Sequence, residues 1–81
     1  MNKLKLKEAT QDYVVYLYYP DGNEEYGEIR MNVGDEEALV ITRVDLGNDI
    51  TSGRYAFSAA KAVKERVLKR NYPVEFTQAW Y

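Results

Sequence analysis

Apolar and polar positions alternate along most of the chain, with one long interruption at helical spacing. In the stretch NKLKLKE, Leu4 and Leu6 alternate with Lys3, Lys5 and Lys7, which predicts a lysine-guarded edge strand or a frayed end within residues 1–9. Asp12 to Tyr19 is dense in β-branched and aromatic residues and reads as a strand. PDGNEE follows as a turn, because proline presets φ while Asp-Gly and Asn accept turn geometries that other residues resist. In YGEIRMNV, Gly27, Ile29, Met31 and Val33 fall on one face and Glu28, Arg30 and Asn32 on the other, the signature of a half-buried strand. Beyond the turn GDEE, Ala38 to Asp45 reads as a third strand whose register stays open, since both of its faces carry apolar residues.

The period then changes. From Gly53 to Arg70, residues Ala56, Ala59, Ala60, Val63 and Val67 recur at helical spacing, with Phe57 and Leu68 on the flank. Asp49, Thr51 and Ser52 are candidate N-caps; Lys69 and Arg70, then Asn71 as a left-handed cap and Pro73, mark the end. VEFTQAWY returns to alternation, placing Val74, Phe76 and Trp80 on one face of a last strand. The predicted order is β-β-β-α-β, an α+β fold: a mixed sheet of four strands, five if residues 1–9 join it, with one helix packed on one face. Crossover geometry makes the last strand parallel to the strand at Tyr13 and sets the latter in the middle.

A middle strand is apolar on both sides, which bears on the tyrosines of YVVYLYYPDG. With Tyr19 opposite Gly27, Tyr13, Val15, Leu17 and Tyr19 face the helix beside Ile29 and Met31. Tyr16 then lies across from Arg30 and Tyr18 across from Glu28, on an uncovered face that Tyr81 also joins. Tyr16, Tyr18, Arg30 and Tyr81 are thus the candidate interaction residues. Trp80 either closes the core against the helix or joins that face, and the area it buries favours the core.

With 81 residues the chain has room for one domain, residues 1–81, and one core. It contains no cysteine and no histidine, so disulfides, Cys/His zinc sites and nucleophile–histidine catalysis are excluded. The start of the chain lacks a signal-peptide pattern and the apolar run Tyr13 to Tyr19 is too short to span a bilayer; these features place the protein in the cytoplasm, away from membranes. The net charge of −2 is unevenly laid out: residues 8 to 53 hold eleven acids against Arg30 and Arg43, whereas Arg54 to Arg70 holds six basic residues against Glu65. A basic helix face (Lys61, Lys64, Arg66, Lys69 and Arg70) and acidic turns either steer a partner or are solvated, and the overall acidity disfavours nucleic acid.

No chemical motif survives inspection. SGRYAFSAA has the ring spacing of the aromatic strand of RNA-recognition folds, but Arg54 stands where glycine is required and the segment enters an alanine-rich helix. DGNEEYG fails as a calcium loop, which needs glycine sixth and glutamate twelfth; Tyr26 and Asn32 stand there. The paired acids sit in turns, where water keeps carboxylates ordinary, and there is no glycine-rich phosphate loop. We expect no catalytic residue, metal or cofactor.

Taken together, YYPDG at a strand end, Gly27 after the turn, YAFSA opening a helix and AWY at the terminus resemble small bacterial proteins of unknown function, mainly from Gram-positive bacteria. The resemblance implies a compact bacterial domain and transfers no functional residue. The expected function is that of a small non-enzymatic interaction protein, a homodimer or the partner of another protein, working through the tyrosine face or a sheet edge. The alternative is a regulator that binds nucleic acid, or blocks a nucleic-acid-binding protein, through its charged surfaces.

Overall fold

The computed structural model describes residues 1–79; the expectations placed on Trp80 and Tyr81 lie outside the described residues. Strands β1 (Asn2–Ala9), β2 (Tyr13–Pro20), β3 (Gly27–Asn32) and β4 (Asp35–Thr42) precede helix α1 (Asp49–Lys69), and β5 (Glu75–Gln78) follows it. They form one five-stranded sheet in the order β4-β3-β2-β1-β5, covered on one face by the helix. The α+β class with a single helix is as expected.

The N-terminal segment is neither an edge nor frayed. Strand β1 lies between β2 and β5, with Leu4 across from Tyr18 on one side and from Phe76 on the other. Its alternation explains the position: Asn2 and Leu4 are fully buried while Lys3 and Lys5 remain exposed. A tight connection makes the β1–β2 hairpin, with the Thr10 hydroxyl accepting from the backbone N–H of Asp12 and Tyr13. Strand β5 still runs in the direction of β2, yet with β1 inserted every neighbouring pair is antiparallel, and the sheet is not mixed.

The β2–β3 register differs by one residue from the expected one. Tyr18 pairs with Gly27, Tyr16 with Ile29 and Val14 with Met31. In a strand a one-residue slip moves every side chain to the other face. Tyr16 and Tyr18 are therefore core residues, each 0% exposed, packed with Leu4, Ile29, Met31 and the helix. Two local features explain the choice. Asp21 and Gly22 both take positive φ (49° and 75°) and the Pro20 carbonyl accepts from the Asn23 N–H at 2.8 Å, the primed turn that Asp-Gly favours, with the loop running on to Tyr26. Beyond it, Gly27 lies directly beneath the Tyr18 ring, in space that any Cβ would fill.

Helix α1 presents Ala56, Ala59, Ala62, Val63 and Val67 to the sheet. These short side chains leave room for the two tyrosine rings, a large-against-small match across the layer interface. Each ring also satisfies its polar tip: the Tyr16 hydroxyl donates to the Pro73 carbonyl at 2.7 Å, and the Tyr18 hydroxyl accepts from the Val44 N–H at 3.3 Å.

The helix begins at Asp49, four residues before the expected Gly53, and ends at Lys69, one residue before the expected Arg70. Asn48 is the N-cap, its side chain accepting from the Thr51 N–H at 3.1 Å, and Arg70, with φ 49°, takes the left-handed position instead of Asn71. Ser52 is buried and serves the preceding loop by accepting from the Leu46 N–H. Replacing Asn48 with alanine is expected to cost about 1 kcal/mol, measurable as a fall of about 4–8 °C in melting temperature for a domain of this size.

Candidate interaction surface

The sheet face away from the helix carries Tyr13, Val15, Leu17 and Tyr19 from the middle strand, between the lysines of β1 and the Glu28 and Arg30 of β3. It is uncovered by any element, yet it is not bare. Lys7 on β1 reaches across β2 to Glu28 on β3 at 2.8 Å, and Lys3 pairs with Glu75 at 2.6 Å. The Arg30 guanidinium lies 3.9 Å from the Tyr13 ring centre, Lys5 stands over Tyr19 at 5.1 Å, and Tyr26 folds against Tyr19 with centroids 5.3 Å apart. Long charged side chains roof the apolar stripe with their stems. As a result Val15 is only 6% exposed. The hydrogen bond to Glu28, reinforced by its charge, holds the Lys7 ammonium above its ordinary pKa.

The four candidate residues are therefore not brought together. Tyr16 and Tyr18 lie under the helix, Arg30 is occupied with Tyr13 on the opposite face, and Tyr81 lies outside the described residues.

A different surface is left apolar. Helix α1 lies over the inner strands and leaves an open groove of about 510 Å³ between itself and edge strand β4. Leu39, Ile41 and Met31 make its floor, Phe57, Ala60 and Leu68 its helical wall. Phe57 is 66% and Leu68 61% exposed, and Val40, on the other face of the same edge strand, is 63% exposed. Lys61 and Lys64 stand on the rim, Lys64 3.6 Å from Glu37. Phe57 and Leu68 lie eleven residues apart, three turns along one side of the helix, and Ile50 continues the line seven residues earlier. That spacing was readable in the sequence; what it flanked was not, because the register of β4 was open.

No protein-family model, curated protein or solved structure matches this chain. The groove and the edge beside it must therefore be read on their own chemistry. The groove is lined by aliphatic and aromatic groups with charges only at its margin, and nothing in it is arranged as an acid–base pair. Glu65, at the rim, is held below the usual carboxylate range by its hydrogen bond to Lys69 and is the ordinary half of a surface ion pair. Among the described residues no group of three or more metal-ligating side chains converges, and no helix is long and apolar enough to cross a membrane.

Edge strand β4 adds a second property. Its eight residues, DEEALVIT, put acids at the start and an apolar run, Ala38 to Ile41, at the end. Edges that stay unpaired are usually blunted by lysine, proline or a bulge. The run from Ala38 to Ile41 has neither lysine nor proline; Leu39 to Ile41 pairs with β3 in register, and the ladder shifts only between Leu39 and Asp35.

Proposed function

We propose that the protein is a small non-enzymatic interaction protein that binds another polypeptide by adding a strand to β4, with the partner's apolar side chains filling the groove beside α1. The observation that carries this reading is the contiguity of the regular apolar edge Leu39 to Ile41 with the exposed pair Phe57 and Leu68. Strand addition supplies affinity through main-chain hydrogen bonds and specificity through pockets for alternate side chains. The groove provides such a pocket on one face of the new strand. The tyrosine-face version of this function is set aside, because Tyr16 and Tyr18 are buried. Binding of nucleic acid through the basic helix face is disfavoured: Lys64 pairs with Glu37, and Arg66 and Lys69 both pair with Glu65.

A photo-crosslinking residue placed at Ile41 in the full chain is expected to give an adduct of defined mass, while the same residue at Leu17 on the roofed face gives none. Combining the Ile41 probe with Leu68→Ser should remove the adduct. Labelling at Leu17 alone, or labelling at Ile41 indifferent to Leu68→Ser, would overturn the proposal.

A further inference from the structure

We infer that the polypeptide added at β4 is a second copy of this chain, the two β4 strands pairing antiparallel about a two-fold axis at Val40; the inference rests on the function just proposed. Charge sets the direction. Asp35, Glu36 and Glu37 open the strand and Arg43 follows its last residue. Parallel self-pairing would stack one acidic cluster on the other, whereas antiparallel pairing separates the two clusters and sets Glu37 of each copy across from Arg43 of its mate, a guanidinium that also holds Asp49.

Side-chain matching sets the register. With the axis at Val40, Leu39 of each copy lies across from Ile41 of the other, Ala38 from Thr42, Val40 from its own counterpart and Glu37 from Arg43. Apolar meets apolar, and acid meets base. Moving the axis to Leu39 would put Glu37 across from Ile41, and moving it to Ile41 would put Leu39 across from Arg43. A slip by a single residue would turn the helices to opposite sides of the joined sheet and leave both grooves open. With the axis at Val40 both helices flank the seam on one side. Leu39, Ile41, Phe57 and Leu68 of one copy then face the same residues of the other, closing both grooves over a continuous ten-stranded sheet. Isologous contacts of this kind are self-complementary and close after two copies.

The chain has no cysteine, so one can be introduced without competition. Directly opposed residues in an antiparallel pair have Cα atoms about 4.5–5.5 Å apart, within disulfide reach. Under mild oxidation Val40→Cys should convert from a 9.4 kDa chain to a linked pair of twice that mass, and Val74→Cys, on an exposed position remote from the seam, should not. By light scattering the unmodified protein should weigh twice 9.4 kDa, and Val40→Lys, which sets two ammonium groups face to face, should weigh 9.4 kDa with an unchanged circular dichroism spectrum. A persistent Val40→Lys dimer, or equal linking of Val40→Cys and Val74→Cys, would overturn the β4 seam. A monomer at every concentration would overturn the second copy as occupant. In that case an Ile41 adduct to a different chain leaves the strand-addition function standing, and its absence removes both.

Discussion

Tyr16→Ala is expected to remove about a third or more of the protein's stability and lower its urea midpoint markedly. Truncating a buried aromatic side chain typically costs about 3–5 kcal/mol, against a total stability of about 4–12 kcal/mol for a chain of this length. The Tyr16 ring is fully enclosed and meets Phe76 edge-on at a centroid distance of 5.4 Å, so its loss opens a cavity between β5 and the helix. Tyr16→Phe keeps the ring and removes only the hydroxyl that Pro73 accepts from. Its expected cost is about 1–2 kcal/mol, that of a buried hydrogen bond whose acceptor is left behind. Urea unfolding of the two variants separates these effects. If Tyr16→Ala kept its midpoint, the ring would have to be on the surface after all.

The same residue gives the fold an alkaline limit. Burial pushes the Tyr16 hydroxyl up to about 12, the nearby Arg66 opposing only in part. The folded state thus prefers the protonated phenol, whereas the unfolded chain releases its proton near 10. Stability from this group is complete below pH 10 and falls as the pH rises from there through about 12. Tyr16→Phe should flatten that part of the stability profile.

Gly27→Ala should be nearly as damaging, for the opposite reason. The added methyl would occupy the place of the Tyr18 ring, which cannot withdraw because its hydroxyl is tied to Val44 and the ring is enclosed. Overpacking of this kind costs about 1–3 kcal/mol and occasionally more. The diagnostic measurement is a double-mutant cycle. Tyr18→Ala alone is expected to be severely destabilising, but in the Gly27→Ala background it removes the clash as well as the ring. The two changes together should therefore destabilise by about 1–3 kcal/mol less than their sum, the range of coupling for residues in contact. Additive costs would mean that the ring does not lie over residue 27.

Gly27 also shows what was legible in the sequence and what was not. The number of strands from Tyr13 on, the helix and the α+β class followed from periodicity, since two-residue and 3.6-residue repeats are local. The ends did not, as β4 takes in Asp35 to Glu37, read as a turn, and stops at Thr42, three residues before Asp45. The face assignment of β2 did not, because YVVYLYY is apolar at both parities and alternation cannot choose between them. The choice lay in size: alanines on the helix call for large rings opposite, and a glycine across the hairpin calls for a ring above it. Read that way, Ala56, Ala59 and Gly27 would have turned Tyr16 and Tyr18 inward. The place of β1 was hidden for another reason. Its paired residues in β5 lie seventy or more positions away along the chain, and no local pattern carries that pairing. The groove was half visible, in Phe57 and Leu68, but its other wall depended on the register of β4.

The interior position of β1 bears on how the chain acquires its shape as it is made. Asn2 pairs with Gln78 and its side-chain amide donates to the Tyr55 carbonyl. Synthesised well before its partner, β1 gains its second neighbour only after residue 78 has left the ribosomal tunnel. Until then Leu4 and Leu6 have β2 beside them but no β5 to complete their enclosure. Contacts of such long sequence separation slow folding, because loop closure must precede the gain. The strand that follows the helix therefore completes the enclosure of β1, and the sheet cannot close until β5 is free of the tunnel.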